Sequence, residues 1–447
     1  MTRSRFPHPL TLLTCGVLLA AAASYLLPAG EYERTEDAAT GRSVVVAGTY
    51  ERVEPAPVGP FAAIVALPRG MADAADVIFL IFLIGGAFTV VDRTGALGGG
   101  VEWLTSKLRD RDLLVIPVVS FAFAMGGVTE NMQEEIIALV PALLILTRRL
   151  GFSPMVAAAM SAGAAFVGSA FSPINPFQVG IAQRVAEVPL VSGWAYRTVF
   201  LVIALALWIG ATVRFARRTR QAPQEVADTE STGLSTKHVA ILGIVFLTFS
   251  ILVYGLLAIG WGFDEMSALF FIMGIVVGLL GGLKVNGTAR AYAEGFREMA
   301  YAALLVGFAR AISVVLADGR IIDTIVHGMF TPIADLPVAL SALGMMVAHI
   351  GIHIPVPSVS GHAVLTMPLL VPLSDLLELE RQVTILAYQY GAGLTDLVTP
   401  TNGALLAILA AAGVRYEEWL RFTLPQYLLL LGLGAVSVIL AIVLGVS

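Results

Sequence analysis

The sequence contains little charge and a single cysteine. Only 13% of its 447 residues are Asp, Glu, Lys or Arg, and the formal net charge is -5. The basic residues are few and scattered and form no positively charged surface of the kind that binds nucleic acid, so we expect no nucleic-acid partner. Cys15 lies in an apolar run, which excludes an intrachain disulfide and a cysteine-based metal site. No Walker sequence or other nucleotide signature occurs, so we expect no cofactor and no ATP-driven transport by this chain.

Apolar residues, by contrast, are abundant. They make up 57% of the chain, and the mean hydropathy of +0.85 is well outside the range of ordinary soluble proteins. The composition therefore predicts an all-α polytopic membrane protein, with the lipid bilayer as its surroundings. We expect a bacterial inner membrane as its location.

The orientation follows from the first apolar run. Residues 10–27 are uncharged and long enough to span a bilayer. Arg3 and Arg5 precede this run and an acidic stretch follows it, which predicts a cytoplasmic N-terminus by the positive-inside rule. A cleaved signal peptide is the alternative, because small residues precede Ser24. The polar residues 28–70 are then an external loop, and the alternating sequence SVVVAGTYERV within it predicts a small hairpin.

Two apolar stretches have arms too short to be pairs of full spans. Residues 113–147 have arms of about a dozen residues each that meet at GGVTENMQEE, and residues 338–373 have two arms around HIPVPSVSGHA. Such arms are typical of re-entrant hairpins. A non-helical tip at membrane depth must face protein or a water-filled cavity.

Two further apolar stretches, residues 152–190 and 383–414, are interrupted by proline and polar residues. Ser-Pro-Ile-Asn ending at Asn175 and Thr-Pro-Thr-Asn ending at Asn402 lie 227 residues apart. The recurrence in register predicts one broken helix in each half of the chain, which is how secondary transporters build their substrate sites.

Counting the crossings makes the symmetry explicit. Residues 1–220 contain two spans, a hairpin, a broken helix and a span; residues 221–238 are a polar cytoplasmic linker; residues 239–447 contain a linking span and the same series again. Because one extra span separates the copies, the second copy is inverted. The sequence thus predicts inverted repeats whose four interrupted elements meet near the membrane midplane.

Three long motifs resemble a known family. These are SPINPFQVGIAQ (172–183), PSVSGHAVLTMPLLVPLSDLLEL (357–379) and TDLVTPTNGALLAIL (395–409). The chain resembles the YfcC family of the ion transporter superfamily, which is related to anaerobic C4-dicarboxylate carriers and to arginine/ornithine exchangers. The resemblance implies an elevator-type carrier, a homodimer, in which hairpins and broken helices move substrate as one unit.

The chain departs from that family where a ligand should bind. Val359 stands where a glycine is expected, His362 where a glutamine or lysine is expected, and Asn402 where a serine is expected. Asn131 replaces the second of two adjacent glutamates. The substrate therefore cannot be transferred from any relative.

The candidate site residues are polar or small residues at the two tips and the two breaks. They are Thr129, Glu130 and Asn131 at the first tip; Ser172, Asn175 and Gln178 at the first break; Ser358, Ser360, Gly361 and His362 at the second tip; and Asp396, Thr399, Thr401 and Asn402 at the second break. Backbone carbonyls freed at the Asn175 and Asn402 breaks can bind Na⁺, and the following helix N-termini can bind a carboxylate. The alternative is a kink stabilised by the asparagine side chain.

Glu130 and Asp396 are carboxylates within membrane depth, which makes them functional candidates. Glu130 is suited to hold a substrate amine, carry a proton or help bind Na⁺, and Asp396 to bind a cation or a substrate amine. A structural pair with Arg310 is the alternative for Asp396, and Asp323 is another partner for Arg310.

The three neighbouring histidines allow several interpretations. His362 is a candidate proton carrier because an imidazole titrates near neutrality, or it is a structural residue. His349 and His353 suit packing or a gate. A metal site is disfavoured, because no carboxylate or cysteine lies beside them at a ligand-like spacing.

The leading interpretation is a secondary active transporter of a small carboxylate-bearing metabolite, an amino acid, working by exchange or coupled to Na⁺ or H⁺. A dicarboxylate or short-chain organic acid carrier is the alternative within transport. A channel or a membrane-embedded enzyme is a more remote one. An aspartyl protease needs two carboxylates, and the residue 227 positions before Asp396 is Ser169.

Overall fold

The computed structural model describes residues 7–37, 42–97, 99–100, 109–221, 235–255, 261–333 and 336–446, and at Glu130 it describes the backbone alone. The described chain is almost entirely helical. Most of the predicted linker 221–238 lies outside the described residues, so nothing tests that assignment.

Eight helices among the described residues are long and apolar enough to cross a membrane. This agrees with the expected all-α polytopic membrane protein. They are Pro9–Leu26, Ala75–Arg93, Asp112–Thr129, Trp194–Thr219, Phe263–Leu280, Lys284–Asp318, Val359–Leu376 and Tyr416–Leu444.

The first half of the chain contains eight helices among its described residues. They are α1 (Pro9–Leu26), α2 (Pro60–Asp73), α3 (Ala75–Arg93), α4 (Val115–Glu130), α5 (Glu134–Arg149), α6 (Pro154–Ala170), α7 (Ile181–Val185) and α8 (Trp194–Thr219). A π-helical turn, Ala159–Gly163, lies inside α6, and a second one, Pro176–Gly180, leads into α7.

The second half contains nine described helices. They are α9 (Thr236–Tyr254), α10 (Phe263–Leu280), α11 (Lys284–Asp318), α12 (Ile322–Phe330), α13 (Val338–His353), α14 (Val359–Leu376), α15 (Arg381–Thr395), α16 (Gly403–Ala412) and α17 (Tyr416–Leu444).

The loop after α1 differs from its prediction in two ways. Its strands β1 (Gly30–Glu31) and β4 (Glu51–Arg52) pair with each other, and β2 (Arg34–Asp37) pairs with β3 (Arg42–Val45). The single hairpin expected within SVVVAGTYERV is therefore wrong, because its strands pair with residues upstream of that run. The loop also ends before residue 70, since Pro60, suited to the first turn of a helix, begins α2.

A buried carboxylate holds this loop against α12. Asp323 Oδ1 accepts a hydrogen bond from Arg34 Nη2 at 2.9 Å, and Asp323 Oδ2 accepts one from the Tyr32 backbone N–H at 2.9 Å. Burial, reinforced by the charge of Asp323, raises the pKa of Tyr32 to about 12. The phenol therefore stays protonated, and its oxygen lies 2.9 Å from Nδ1 of His327.

The arms of the first predicted hairpin, α4 and α5, are longer than expected. Each has 16 residues, not about a dozen, because residues at the apparent polar tip continue both helices. The chain reverses at Asn131, which adopts a left-handed conformation with φ 55°. Asparagine tolerates this conformation better than most residues do.

Glycines allow α4 to pack closely on α6. A Cβ on Gly127 would lie 2.0 Å from the Ala165 carbonyl oxygen, and one on Gly168 would lie 2.2 Å from the Ala124 carbonyl oxygen. The second halves of the interrupted elements cross over, since α5 contacts α16 and α14 contacts α7. The four interrupted elements therefore form one packed unit.

We expect Gly168→Ala to destabilise the purified protein strongly, because the new methyl group has no room against the backbone of α4. Gly210→Ala is the matched control: a Cβ there meets nothing within 4 Å, and alanine favours a helix over glycine by about 1 kcal/mol. Thermal unfolding in detergent should give a lower midpoint for Gly168→Ala and an equal or higher one for Gly210→Ala. Equal midpoints for Gly168→Ala and the wild type would contradict the close packing.

Candidate functional site

Both helix breaks end at a capping asparagine. Asn175 Oδ1 accepts hydrogen bonds from the backbone N–H groups of Phe177 at 2.9 Å and Gln178 at 3.0 Å. Asn402 Oδ1 accepts one from the backbone N–H of Leu405 at 2.9 Å. Because each asparagine satisfies N–H groups that the helix itself leaves unpaired, both second segments begin for the same local reason.

The first break is buried and its polar side chains are paired. Ser172 Oγ donates to the Val128 carbonyl at 2.7 Å and accepts from the Asn175 backbone N–H at 2.8 Å. Asn175 Nδ2 donates to the Gly127 carbonyl at 2.8 Å. Neither Ser172 nor Asn175 is exposed. These side chains join the break to the end of α4, and a Na⁺ site here remains a prediction that rests on backbone carbonyls.

Gln178 and Asn131 complete this neutral network. Ser169 Oγ donates to Gln178 Oε1 at 3.1 Å and also to Asn131 Oδ1. Gln178 Nε2 donates to the Gln389 carbonyl on α15 at 3.1 Å, which links the two broken helices. Thr129, the other described member of the first tip, donates to the carbonyl one turn back in α4 and lies apart from this network.

The second break is built around one buried carboxylate. Asp396 is 3% exposed. Its Oδ1 lies 2.9 Å from His353 Nε2 and accepts from Asn402 Nδ2 at 2.7 Å. Its Oδ2 accepts from Gln133 Nε2 at 3.1 Å, and Gln133 Oε1 accepts from Asn402 Nδ2 at 3.1 Å. Asp396 thereby connects the first tip, the second hairpin and the second break.

The two threonines of the second break face each other. Thr399 Oγ1 and Thr401 Oγ1 are 2.7 Å apart, and Thr401 Oγ1 donates to the Ile354 carbonyl at the end of α13. Both are buried. Their hydroxyl groups hold the break against the second hairpin.

The second tip presents polar groups at the start of α14. Ser358 caps this helix by accepting a hydrogen bond from the Gly361 backbone N–H at 3.3 Å. Ser360 lies half-buried in the first turn. A helix N-terminus is a favourable place for a carboxylate, so the tip keeps the binding role predicted for it.

His362 belongs to a buried cluster of three histidines. His349 Nδ1 and His362 Nε2 are 2.8 Å apart. The rings of His353 and His362 stack with a centroid separation of 5.8 Å and an interplanar angle of 14°. The Tyr388 ring meets those of His349 and His362 edge-on. None of the three histidines is exposed.

A cavity of about 610 Å³ adjoins the second break and both tips. This volume suits a small metabolite. The polar lining comes from Asp73, Asp76, Gln133, Glu134, Arg310, Ser313, Ser358, Thr401 and Asn402, together with Gly361 and Gly403. Three carboxylates and one guanidinium therefore face the cavity.

Arg310 does not pair with either predicted carboxylate. It pairs with Asp73 at the end of α2, Asp396 pairs with His353, and Asp323 pairs with Arg34. Arg310 lies on α11, and the face of α11 that lines the cavity contacts α2. The sequence pattern predicts a loop for most of α2, so it does not indicate this contact. The Arg310–Asp396 and Arg310–Asp323 pairs are thus wrong.

Several cavity residues were missed from the sequence. Gln133 lies in the first tip between acidic residues, which are stronger candidates for a binding role in a sequence. Asp73 and Asp76 lie at the junction of α2 and α3, outside any interrupted element. From the sequence, one of Glu134 and Glu135 is expected to face solvent or a partner such as Arg148; in the structure Glu134 lines the cavity. A charged residue at the end of an apolar run is the signal that could have identified Asp76.

Comparisons with known proteins agree on the class. The family model "DcuC: C4-dicarboxylate anaerobic carrier" matches residues 6–443. An Escherichia coli protein named "Putative basic amino acid antiporter YfcC" is 33% identical over 396 residues, covering 83% of this chain and 78% of that protein. An uncharacterized protein of Haemophilus influenzae is 28% identical, covering 98% and 97%.

Solved transporters have a distantly similar architecture. The Alcanivorax borkumensis YdaH transporter has a TM-score of 0.47 at 17% identity, covering 98% of this chain and 99% of that chain. Neisseria gonorrhoeae MtrF, described as illuminating a class of antimetabolite efflux pumps, has a TM-score of 0.41 at 16% identity, covering 97% and 95%.

We expect Asn402→Ala to lower the thermal unfolding midpoint far more than Ser235→Ala. The first variant removes a helix cap and both amide bonds to Asp396 and Gln133, a loss of about 3 kcal/mol or more. Ser235 also caps a helix, by accepting from the His238 N–H, but its loss costs only about 1 kcal/mol. Equal shifts of the two midpoints would mean that the Asp396 network contributes nothing beyond capping.

Proposed function

The chain belongs to the C4-dicarboxylate anaerobic carrier family, and we propose that it is a secondary active carrier of a basic amino acid that works by exchange. The observation that supports this proposal most directly is the charge of the cavity. Within the described part of the chain, Asp76 and Glu134 line the cavity and form no ion pair, while Asp73 is paired with Arg310. A cation is the ligand that such a lining attracts.

An amino acid fits the distribution of these charges. Arg310 and the N-terminus of α14 beside Ser358 suit the α-carboxylate, because both present positive charge or N–H donors. Asp76, Glu134 and the buried Asp396 suit an ammonium or guanidinium group. The resemblance to a relative named as a basic amino acid antiporter supports the same substrate class.

A dicarboxylate is the second candidate, and the family name is what favours it. It would bind through Arg310 and the helix N-termini, with Asp76 and Glu134 opposing it. The carboxylates outnumber the guanidinium in the cavity lining, so we place the dicarboxylate second. Neither substrate requires a catalytic step, and the relatives matched are transporters or carriers.

The proposed movement is that of an elevator. Helix α11 packs against α2 and α3, α10 packs against α3, and a separate apolar cluster joins α3, α10 and α11. The two hairpins and two broken helices form the other unit, and the cavity lies at the boundary between α11 and α16. Displacement of the second unit along the first would carry the cavity across the bilayer.

We include inverted repeats, a homodimer, an inner-membrane location and a cytoplasmic N-terminus in this proposal.

We expect Glu134→Gln to weaken binding of arginine by about tenfold, because one missing charge in the cavity is worth about 1.4 kcal/mol. Asp264→Asn, which alters an exposed carboxylate at the start of α10, should leave the affinity unchanged. The measurement is ligand-induced thermal stabilisation by arginine, lysine and succinate. If succinate alone stabilises the protein, and stabilises Glu134→Gln more than the wild type, the dicarboxylate becomes the first candidate substrate and the basic amino acid the second.

A disulfide across the boundary should stop the proposed movement. A Cβ on Gly403 would lie 3.4 Å from the Ala309 Cβ, close to the spacing found in disulfides. It would also lie 2.8 Å from the Val306 Cα, so α16 and α11 must separate slightly to accept it, and counterflow by the reduced protein is the reference for this variant. With Cys15 replaced by alanine, the oxidised Ala309→Cys/Gly403→Cys protein should lose arginine counterflow in liposomes and regain it on reduction.

The matched control for this cross-link joins residues within the second unit. Ser374 on α14 and Thr384 on α15 are hydrogen-bonded to each other, so Ser374→Cys/Thr384→Cys brings two sulfurs together without spanning the boundary. Its oxidation should leave counterflow intact. Counterflow that persists in the fully oxidised Ala309→Cys/Gly403→Cys protein would exclude movement of α16 along α11.

A further inference from the structure

We propose that Asp396 and the three buried histidines form a binding site for one proton, and that this proton competes with the cationic substrate. The inference rests on the proposed exchange of basic amino acids and names its coupling ion. Its basis is the geometry of the cluster and of the amide layer that separates it from the cavity.

The cluster has unused proton-accepting capacity. Among the described side chains, Nε2 of His349 and Nδ1 of both His353 and His362 are buried and have no hydrogen-bond partner. When the Nε2–H of a neutral His353 donates to Asp396, its Nδ1 carries a free lone pair. A proton taken from water on the side to which the site is open would form an N–H bond at that atom and leave a hydroxide ion in solution.

The charge balance limits this site to one proton. With neutral histidines the cluster carries the single negative charge of Asp396, and one added proton on His353 converts it into a neutral ion pair. A second proton would leave a buried positive charge without a counter-ion, which is costly. The His349–His362 hydrogen bond and the stacked rings of His353 and His362 hold the other two imidazoles beside the pair.

Only one layer of amides lies between this site and the cavity. Gln133 and Asn402 donate to Asp396 and also line the cavity. The Asp396 charge therefore acts on a cation bound there through two oriented amides and not through bulk water. Protonation of the cluster removes that attraction, so proton and cationic substrate bind the same conformation of the carrier less well together than separately.

Other titratable groups surround the cluster. Glu134 and Glu135 lie in the first turn of α5, directly after Gln133. The Tyr388 ring packs against His362, and the Tyr427 hydroxyl lies 3.5 Å from Oγ1 of Thr395, the residue before Asp396. Glu130 ends α4. Asp73, Asp76 and Arg310 add charges from the far side of the cavity. A test must therefore separate the histidines from these carboxylates.

Arginine binding should weaken by up to about tenfold in total as the pH falls through the range in which the cluster takes up its proton. His353→Gln keeps a donor to Asp396 but has no basic nitrogen, so its affinity for arginine should be independent of pH and equal to the wild-type affinity at high pH. Glu134→Gln should bind arginine more weakly wherever Glu134 is ionised, and it should keep the part of the pH dependence that belongs to the cluster. His8→Gln alters an exposed histidine and should behave as the wild type.

Proton release provides a readout that needs no variant. In weakly buffered detergent solution, at a pH within the range in which the cluster takes up its proton, a pH dye should report up to about half a proton released for each arginine bound to the wild-type protein. Release near zero, or a His353→Gln protein with the wild-type pH dependence, would overturn the proposal.

The two proposals fail in different ways. If arginine counterflow at fixed pH occurs but has no proton dependence, the exchange function stands and the proton site is wrong. If arginine neither binds nor exchanges, the proposed function is wrong. Potentiometric titration of the ligand-free protein then decides the proton site, because the wild type should take up about one proton more than His353→Gln between about pH 8.5 and about pH 5.5.

Discussion

The buried carboxylate of Asp396 is the constraint on which the rest of the site depends. A carboxylate in the interior of a membrane protein is costly unless charged or hydrogen-bonding groups surround it. Here one imidazole and two amides do so, and they come from three different interrupted elements. Satisfying this single group therefore fixes how the first tip, the second hairpin and the second break sit against one another.

Much of this arrangement could be predicted from local sequence. Asn175 and Asn402 follow prolines at the same spacing, and capping asparagines are recognised by local chemistry alone. The turn at the first tip lies where the polar sequence predicts it, but the two arms are longer than the apolar runs suggest, because polar residues of the tip continue both helices. The partners of Asp396 could not be predicted in this way, because Gln133 is 263 residues away in the chain and nothing in its neighbourhood indicates the pairing. The partner of Arg310 could not be predicted either. Arg310 pairs with Asp73, which ends α2, and the pattern of polar residues predicts a loop over most of that helix.

The two breaks share their backbone design but not their electrostatics. Ser169 occupies, 227 residues earlier, the position equivalent to Asp396, and its hydroxyl donates to two neutral side-chain oxygens. The first break is accordingly a neutral network that links α4, α6 and α15. The second carries the charge and adjoins the cavity. A symmetric pair of helix breaks can thus support an asymmetric site, since one polar substitution decides which half attracts a cation.

This asymmetry also explains why the histidines lie where they do. His349 and His353 are four residues apart on α13 and so share one helix face, and His362 approaches from the other arm of the same hairpin. The stretch 227 residues earlier, in the first hairpin, contains Ala122 and Gly126, and the first break has Ser169 in place of the carboxylate. Imidazoles would have no counter-ion there and would be costly to charge. Asp396 and the histidines are therefore one unit. The carboxylate lowers the free-energy cost of protonating a buried imidazole, and the imidazole holds the carboxylate in place beside the cavity.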